Sequence, residues 1–188
     1  MIKIKSFFDI EKEENWLNRQ LQNGFCCTNI SWLGIYSFEK TDKRYVIRID
    51  YQDYLTKEKF QEYKGMYEDF GWNCIKGSQR GLQYWQKEVD DQNELYSDRQ
   101  SESTYYERVM KYSFSLTAVL LFFSYTIYKE SGLYLTEGLW SMKGSLFWKA
   151  FIFETPFALI RSCPALMTIF FGSSFYKAYR KYSLLKDN

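Results

Sequence analysis

Apolar positions along the first half of the chain change period several times, and each change marks an element. Residues 2–8, IKIKSFF, alternate and predict a strand. Asp9 suits an N-cap, and Glu11, Glu13 and Glu14 follow at the positive end of a helix over about 10–23. Ile10, Trp16, Leu17 and Leu21 form its apolar stripe, and Asn23–Gly24 close it. Two strands follow, 25–30 and 33–40, around a turn at Ser31–Trp32. The order then recurs. Tyr45–Tyr51 predict a strand, 56–70 a helix capped by Thr56 and ended by Gly71, and 72–77 and 82–87 two more strands that turn near Ser78–Gly81.

The two β-α-β-β stretches, about 2–40 and 45–87, align at a shift of 47. Gly24 falls on Gly71, Cys27 on Cys74, Gly34 on Gly81, Phe38 on Trp85 and Lys40 on Lys87. No gap is needed from helix end to last strand, but the first strand and helix call for a small insertion near 53–55. The spacing reads as an internal duplication. The alternative is two unrelated hairpins with similar glycine and aromatic punctuation.

Within a polar stretch at 88–103, Ser97 or Asp98 suits a cap, and from there nothing breaks helical continuity to Tyr128. Within this helix Tyr112–Tyr128 hold seventeen uncharged residues. At about 1.5 Å per residue that nearly crosses a hydrocarbon core of about 30 Å. A second apolar span lies within 150–176, after a loop at 129–149 whose Trp140 and Trp148 suit a membrane–water interface. The expected organisation is an α+β domain over 1–97, a stalk and first transmembrane helix over 98–128, an extracytoplasmic loop, a second transmembrane helix over 150–176 and a basic tail over 177–188. The long helix reads either as a plain stalk or as a rod that carries a tilt of the domain into the bilayer. Arg108, Lys111, Lys177, Arg180 and Lys181 flank the spans on one side, so both termini are expected in the cytoplasm of a multi-pass cell-membrane protein.

Composition narrows the chemistry. The mean hydropathy of −0.45 averages two unlike halves. Residues 1–111 carry 17 basic and 19 acidic side chains, and 112–188 carry 8 and 4. The soluble half therefore has no basic excess with which to hold nucleic acid. The absence of histidine removes the commonest general base and imidazole metal ligands. Cys26, Cys27, Cys74 and Cys163 lack metal or disulfide spacing and read as free thiols. No phosphate-binding loop or nucleophile elbow is present, and no cofactor is expected.

Four charged residues stand out. Glu154 and Arg161 interrupt the second span, seven residues apart, with Pro156 and Pro164 beside them. Arg161 lies about 22 Å up the span from Tyr176, so it either snorkels outward or pairs with a partner subunit; a transport or sensing role is the other reading. On the strand YVIRIDY, Arg48 and Asp50 share a face. They read as a solvated ion pair or as the polar part of a cleft.

The segments FFDIEKEENWLN, YSFEK, YVIRIDY, EDFGW, GLQYWQKE and ELYSD occur in an order and spacing that resembles a bacterial membrane-protein family, domain of unknown function 2812. The resemblance covers about 2–105 and departs from the expected pattern at Trp85, where phenylalanine is usual. It implies a soluble domain followed by transmembrane helices and a link to PadR-type transcription regulators, with no known activity. A doubled β-α-β-β unit is also similar to GyrI-like effector-binding domains, which bind hydrophobic, often cationic molecules between their halves. That likeness implies a cleft lined by Tyr36, Phe38, Gln83 and Trp85; as ordinary core, the same aromatics need no ligand. The first expectation for function is a non-enzymatic, membrane-anchored sensor or regulatory protein that binds a hydrophobic small molecule or a protein. The second is an accessory subunit of an exporter-type membrane complex, with Glu154 and Arg161 against partner helices. An enzyme would need a buried carboxylate in a pocket, with Asp50 or Glu68 as candidates.

Overall fold

The computed structural model describes residues 1–31 and 33–186, the side chains of 130 and 131 excepted. The chain is α+β and divides into two compact units: Met1–Met110 with the described residues from Lys177 onward, and Lys111–Tyr176.

The first unit opens with β1 (Ile2–Ile4), α1 (Ile10–Gln22), β2 (Phe25–Ile30) and β3 (Ile35–Lys40). Then come β4 (Tyr45–Gln52), α2 (Lys57–Asp69), β5 (Asn73–Lys76) and β6 (Gly81–Glu88). Two three-stranded antiparallel sheets result, in the orders β1-β3-β2 and β4-β6-β5. The expected helix caps form. Asp9 Oδ1 accepts from the Glu11 and Lys12 amides, and Thr56 Oγ1 accepts from the Lys59 amide. Both helices end on a glycine with positive φ, Gly24 at 80° and Gly71 at 82°, where a side chain would be strained. The first strand is shorter than its alternation predicts, because only Ile2–Ile4 find partners on β3. Trp32, in the expected first hairpin turn, lies outside the described residues.

Pairings in the second sheet repeat those of the first 47 residues on. Ile2 opposite Ser37 becomes Ile49 opposite Tyr84, and Cys27 opposite Phe38 becomes Cys74 opposite Trp85. A bulge interrupts Cys27/Asn29 in one sheet and Cys74/Lys76 in the other. The helices start at 10 and 57 and end at 22 and 69. No insertion separates them, contrary to the one expected near 53–55. The counterpart of β1 is Ile49–Tyr51, the later half of the longer β4; aligning the starts of the two strands created the apparent gap.

The core gathers around α1. Leu17 and Leu21 pack with Cys27 and Phe38 of the first sheet and with Ile47, Ile49 and Tyr84 of the second. The opposite face of the second sheet packs Trp85 against Tyr67 and Tyr63 of α2. One helix thus covers two sheets, and side chains take over hydrogen bonds along the outer edge of β4. Asn18 accepts from Ile47 N at 2.9 Å and donates to Ile47 O at 3.0 Å, and Glu14 Oε2 accepts from Ile49 N at 2.8 Å. These bonds satisfy an edge that would otherwise be open.

Two long helices follow, α3 (Arg99–Ser131) and α4 (Ser145–Lys186). Asp98 caps α3 through the Ser101 amide at 2.8 Å. At about 1.5 Å per residue they measure about 50 and 63 Å. Both are long and apolar enough to cross a membrane. α4 exceeds the expected 150–176 at both ends. It starts at Ser145, shortening the loop, and continues through Tyr176, so most of the expected tail is helical. Pro156 and Pro164 both lie inside α4.

In the second unit small residues bring the helices together. Ser113 and Ser124 of α3 and Ala158 of α4 are buried, and Gly172 has the Thr117 methyl as its neighbour. Glu154 accepts from the Leu135 amide at 3.0 Å and from the Thr136 hydroxyl, holding the loop onto α4. Arg161 donates to Ile127 O at 3.2 Å. Both charged residues of the span therefore have partners within the unit.

Candidate functional site

Two buried carboxylates, Asp50 and Glu13, and the half-buried Glu14 organise the polar interior of the first unit. Asp50, on β4, is fully buried. Its Oδ1 accepts from the Tyr96 hydroxyl at 2.6 Å and the Arg108 guanidinium at 3.1 Å. Its Oδ2 accepts from Tyr63 at 2.7 Å and Gln52 at 2.5 Å. Trp85 Nε1 in turn donates to the Tyr63 hydroxyl at 3.0 Å. Asp50 does not pair with Arg48, as their shared strand face suggested. Arg48 turns to Glu94 at 2.8 Å and Glu14 at 3.5 Å, while Asp50 takes Arg108 from α3. A strand shows only neighbours two residues apart; it does not show which helices arrive above them.

Glu13, on α1, is the second. Its Oε1 accepts from the Tyr36 and Tyr84 hydroxyls, each at 2.7 Å. Burial raises the carboxyl above its ordinary range against the pull of these two bonds. Burial, with the Glu13 charge, also raises both phenols, which stay protonated donors at neutral pH. Glu14, the third, is likewise raised by burial, against its bond to the Ile49 amide.

Glu13, Tyr36 and Tyr84 line a cavity of about 600 Å³ between the β2–β3 and β5–β6 turns. Phe7, Ile30, Leu33 and Leu82 give it apolar walls, and Lys5, Lys76 and Arg80 supply three cations. Lys76 Nζ lies 5.7 Å from the Tyr84 ring centroid, and burial lowers its pKa. This is a concave, mostly apolar site with a few convergent polar groups.

Of the side chains expected in a cleft, Tyr36 lies in this wall. Phe38, Gln83, Trp85 and Asp50 do not line it. Phe38 and Trp85 are core, packed on α1 and α2. Gln83 ties down the turn before β6, donating to Ser78 O at 2.6 Å and accepting from Ser78 N at 2.9 Å. Alternation along β6 explains the difference: Gln83 and Trp85 face α2, whereas Leu82 and Tyr84 face the cavity. Arg48 lines a different cavity, beside α1. Glu13 was legible only as one of three acids at a helix start; its burial depends on two sheets meeting over α1. Glu68 is exposed and pairs with Lys64 at 3.6 Å. Burial pushes the Cys27 thiol up to about 12, which removes it as a thiolate at neutral pH.

No curated protein and no solved structure matches this chain. One family profile does, over residues 9–118, from the cap of α1 into the apolar part of α3. The chain belongs to that family, the proteins of unknown function DUF2812.

Proposed function

We propose that this protein is a membrane-anchored, non-enzymatic sensor that takes a small molecule into the cavity between its two sheets. The observation that carries the reading is the cavity's make-up: four apolar side chains, three cations and a buried glutamate held by two tyrosines. An apolar body with one acidic group suits such a lining. The constant offset of 47 between paired residues supports a duplicated β-α-β-β origin, with the cavity at the junction of the copies. The two long helices anchor the chain, with both termini in the cytoplasm. As the family resemblance implies, a PadR-type regulator is the first candidate for the protein that receives the signal.

The test is thermal unfolding of the full-length protein in nanodiscs against a panel of small apolar acids. A ligand at 100 times its dissociation constant stabilises its site by about 2.7 kcal/mol. The expected result is a shift that Leu82→Trp, which fills the cavity, and Lys76→Ala both abolish. A shift that survives both substitutions places the ligand elsewhere and overturns the reading.

A second reading, an accessory subunit, draws on the exposed apolar side chains of α4, among them Phe153, Ile160 and Ile169. Lipid contact accounts for the same exposure. Co-purification of a stoichiometric membrane partner would favour the second reading.

A further inference from the structure

A second cavity, of about 530 Å³, lies on the other side of α1. Its chemistry is opposite to that of the first. Three tyrosines run along it: the Tyr96 and Tyr105 ring centroids are 5.5 Å apart, and those of Tyr105 and Tyr106 are 5.0 Å apart. Four carboxylates line it, Glu11, Glu14, Glu94 and Glu102, against two cations, Arg48 and Lys181. Arg48 is already taken by Glu14 and Glu94.

Lys181 comes from the C-terminal part of α4 and sits in this cavity as a ligand would. Its ammonium lies 5.1 Å from the centre of the Tyr106 ring, 3.0 Å from the Tyr106 hydroxyl, and against Glu11. Ring face, hydroxyl and carboxylate together are what an alkylammonium ion requires. Two further groups are uncommitted. Tyr105 is more than nine-tenths buried, yet its hydroxyl makes no hydrogen bond among the described residues. The Glu102 carboxylate has neither a hydrogen bond nor an ion pair among them. A metal ion does not suit the site, since no three acidic or thiol side chains among the described residues converge closely enough to hold one.

We propose that this cavity binds a primary alkylamine carrying more than one ammonium group, and that Lys181 is an internal stand-in which the ligand displaces. One ammonium of the ligand takes the place of the Lys181 ammonium over Tyr106 and beside Glu11. A second reaches Glu102 and the Tyr105 hydroxyl. Arrival of the amine frees Lys181, so occupancy of the site and the position of the α4 C-terminal segment are linked.

The test uses the full-length protein in zwitterionic nanodiscs, so that anionic lipid does not itself recruit the amine. Spermidine binding is measured by calorimetry at fixed ionic strength, with magnesium chloride as the comparison. The expected result is binding by the wild type that Mg²⁺ does not reproduce. Lys181→Gln, which keeps length and removes charge, should bind about tenfold tighter because the competitor is gone. In that background Glu102→Gln and Tyr105→Phe should each weaken binding by about tenfold, with unfolding temperatures confirming the fold. Any of three results overturns the proposal: no spermidine binding by wild type or Lys181→Gln, no gain from Lys181→Gln, or binding that Glu102→Gln and Tyr105→Phe leave unchanged. Lys76→Ala, in the other cavity, should have no effect, which separates this site from the one between the sheets.

Discussion

The carboxylate of Asp50 and the guanidinium of Arg108 meet at 3.1 Å across 58 residues of chain. The Arg108 Nε also donates to Tyr51 O at 2.7 Å, so one side chain of α3 bonds two adjacent residues of β4. Asp50 is fully buried and Arg108 largely so. Arg108 was first legible as one of the basic residues flanking the membrane span. In the fold it docks the start of α3 on the second sheet.

Removing one member of that pair leaves the other buried without its countercharge. Arg108→Leu should destabilise the first unit by about 3–5 kcal/mol. The double variant Asp50→Leu/Arg108→Leu should cost less than the sum of the two single changes. Chemical denaturation of the four proteins forms the cycle, and additive losses would rule out direct coupling.

The edge of β4 offers a second test. Asn18→Ala removes the acceptor of the Ile47 edge amide and one donor to its carbonyl, which keeps Arg48 Nη1 at 3.3 Å, and should cost about 1–3 kcal/mol. Asn18→Asp keeps the acceptor and loses the donor, so an intermediate loss is expected. Amide exchange at Ile47 should accelerate in Asn18→Ala while the β6 amides stay protected.

Glu13 sets a pH dependence of known sign. Its carboxyl is raised in the folded state, so the native protein binds that proton more tightly than the unfolded chain. The resulting stability is fully present below the unfolded value, about 4.3, and is lost as pH rises through the folded value. Glu13→Gln keeps an acceptor for the two tyrosines and cannot titrate. Unfolding temperatures between pH 4 and pH 8 should show the wild type losing ground relative to Glu13→Gln as pH increases. Parallel curves would mean that Glu13 does not titrate differently on folding.

Glu154 ties the loop before α4 to the helix through the Leu135 amide and the Thr136 hydroxyl. Glu154→Ala should release this attachment at a cost of about 1–3 kcal/mol. Limited proteolysis within 132–144 should then be faster by several-fold or more. Glu154→Gln retains one acceptor, so its loop should be cut at a rate between the two.

The sequence by itself determined what depends on near neighbours. Periodicity predicted the strands and α-helices, though not the full length of α4 or the short 3-10 turn at Leu139–Ser141, and Asp9, Thr56 and Asp98 capped their helices because a cap is a contact three residues long. The two membrane-length helices were legible because an apolar run of that length is a local property. Tertiary structure alone decided which charges meet. Arg48 and Asp50, two residues apart, part to different partners, while Asp50 finds Arg108 and Lys181 finds Glu11, 170 residues away. It also exchanged cavity for core along β6, where the expected Gln83 and Trp85 turned toward α2 and the unremarked Leu82 and Tyr84 toward the cavity. Alternation fixes that neighbours on a strand face opposite ways; only packing on α1 and α2 fixes which way is which.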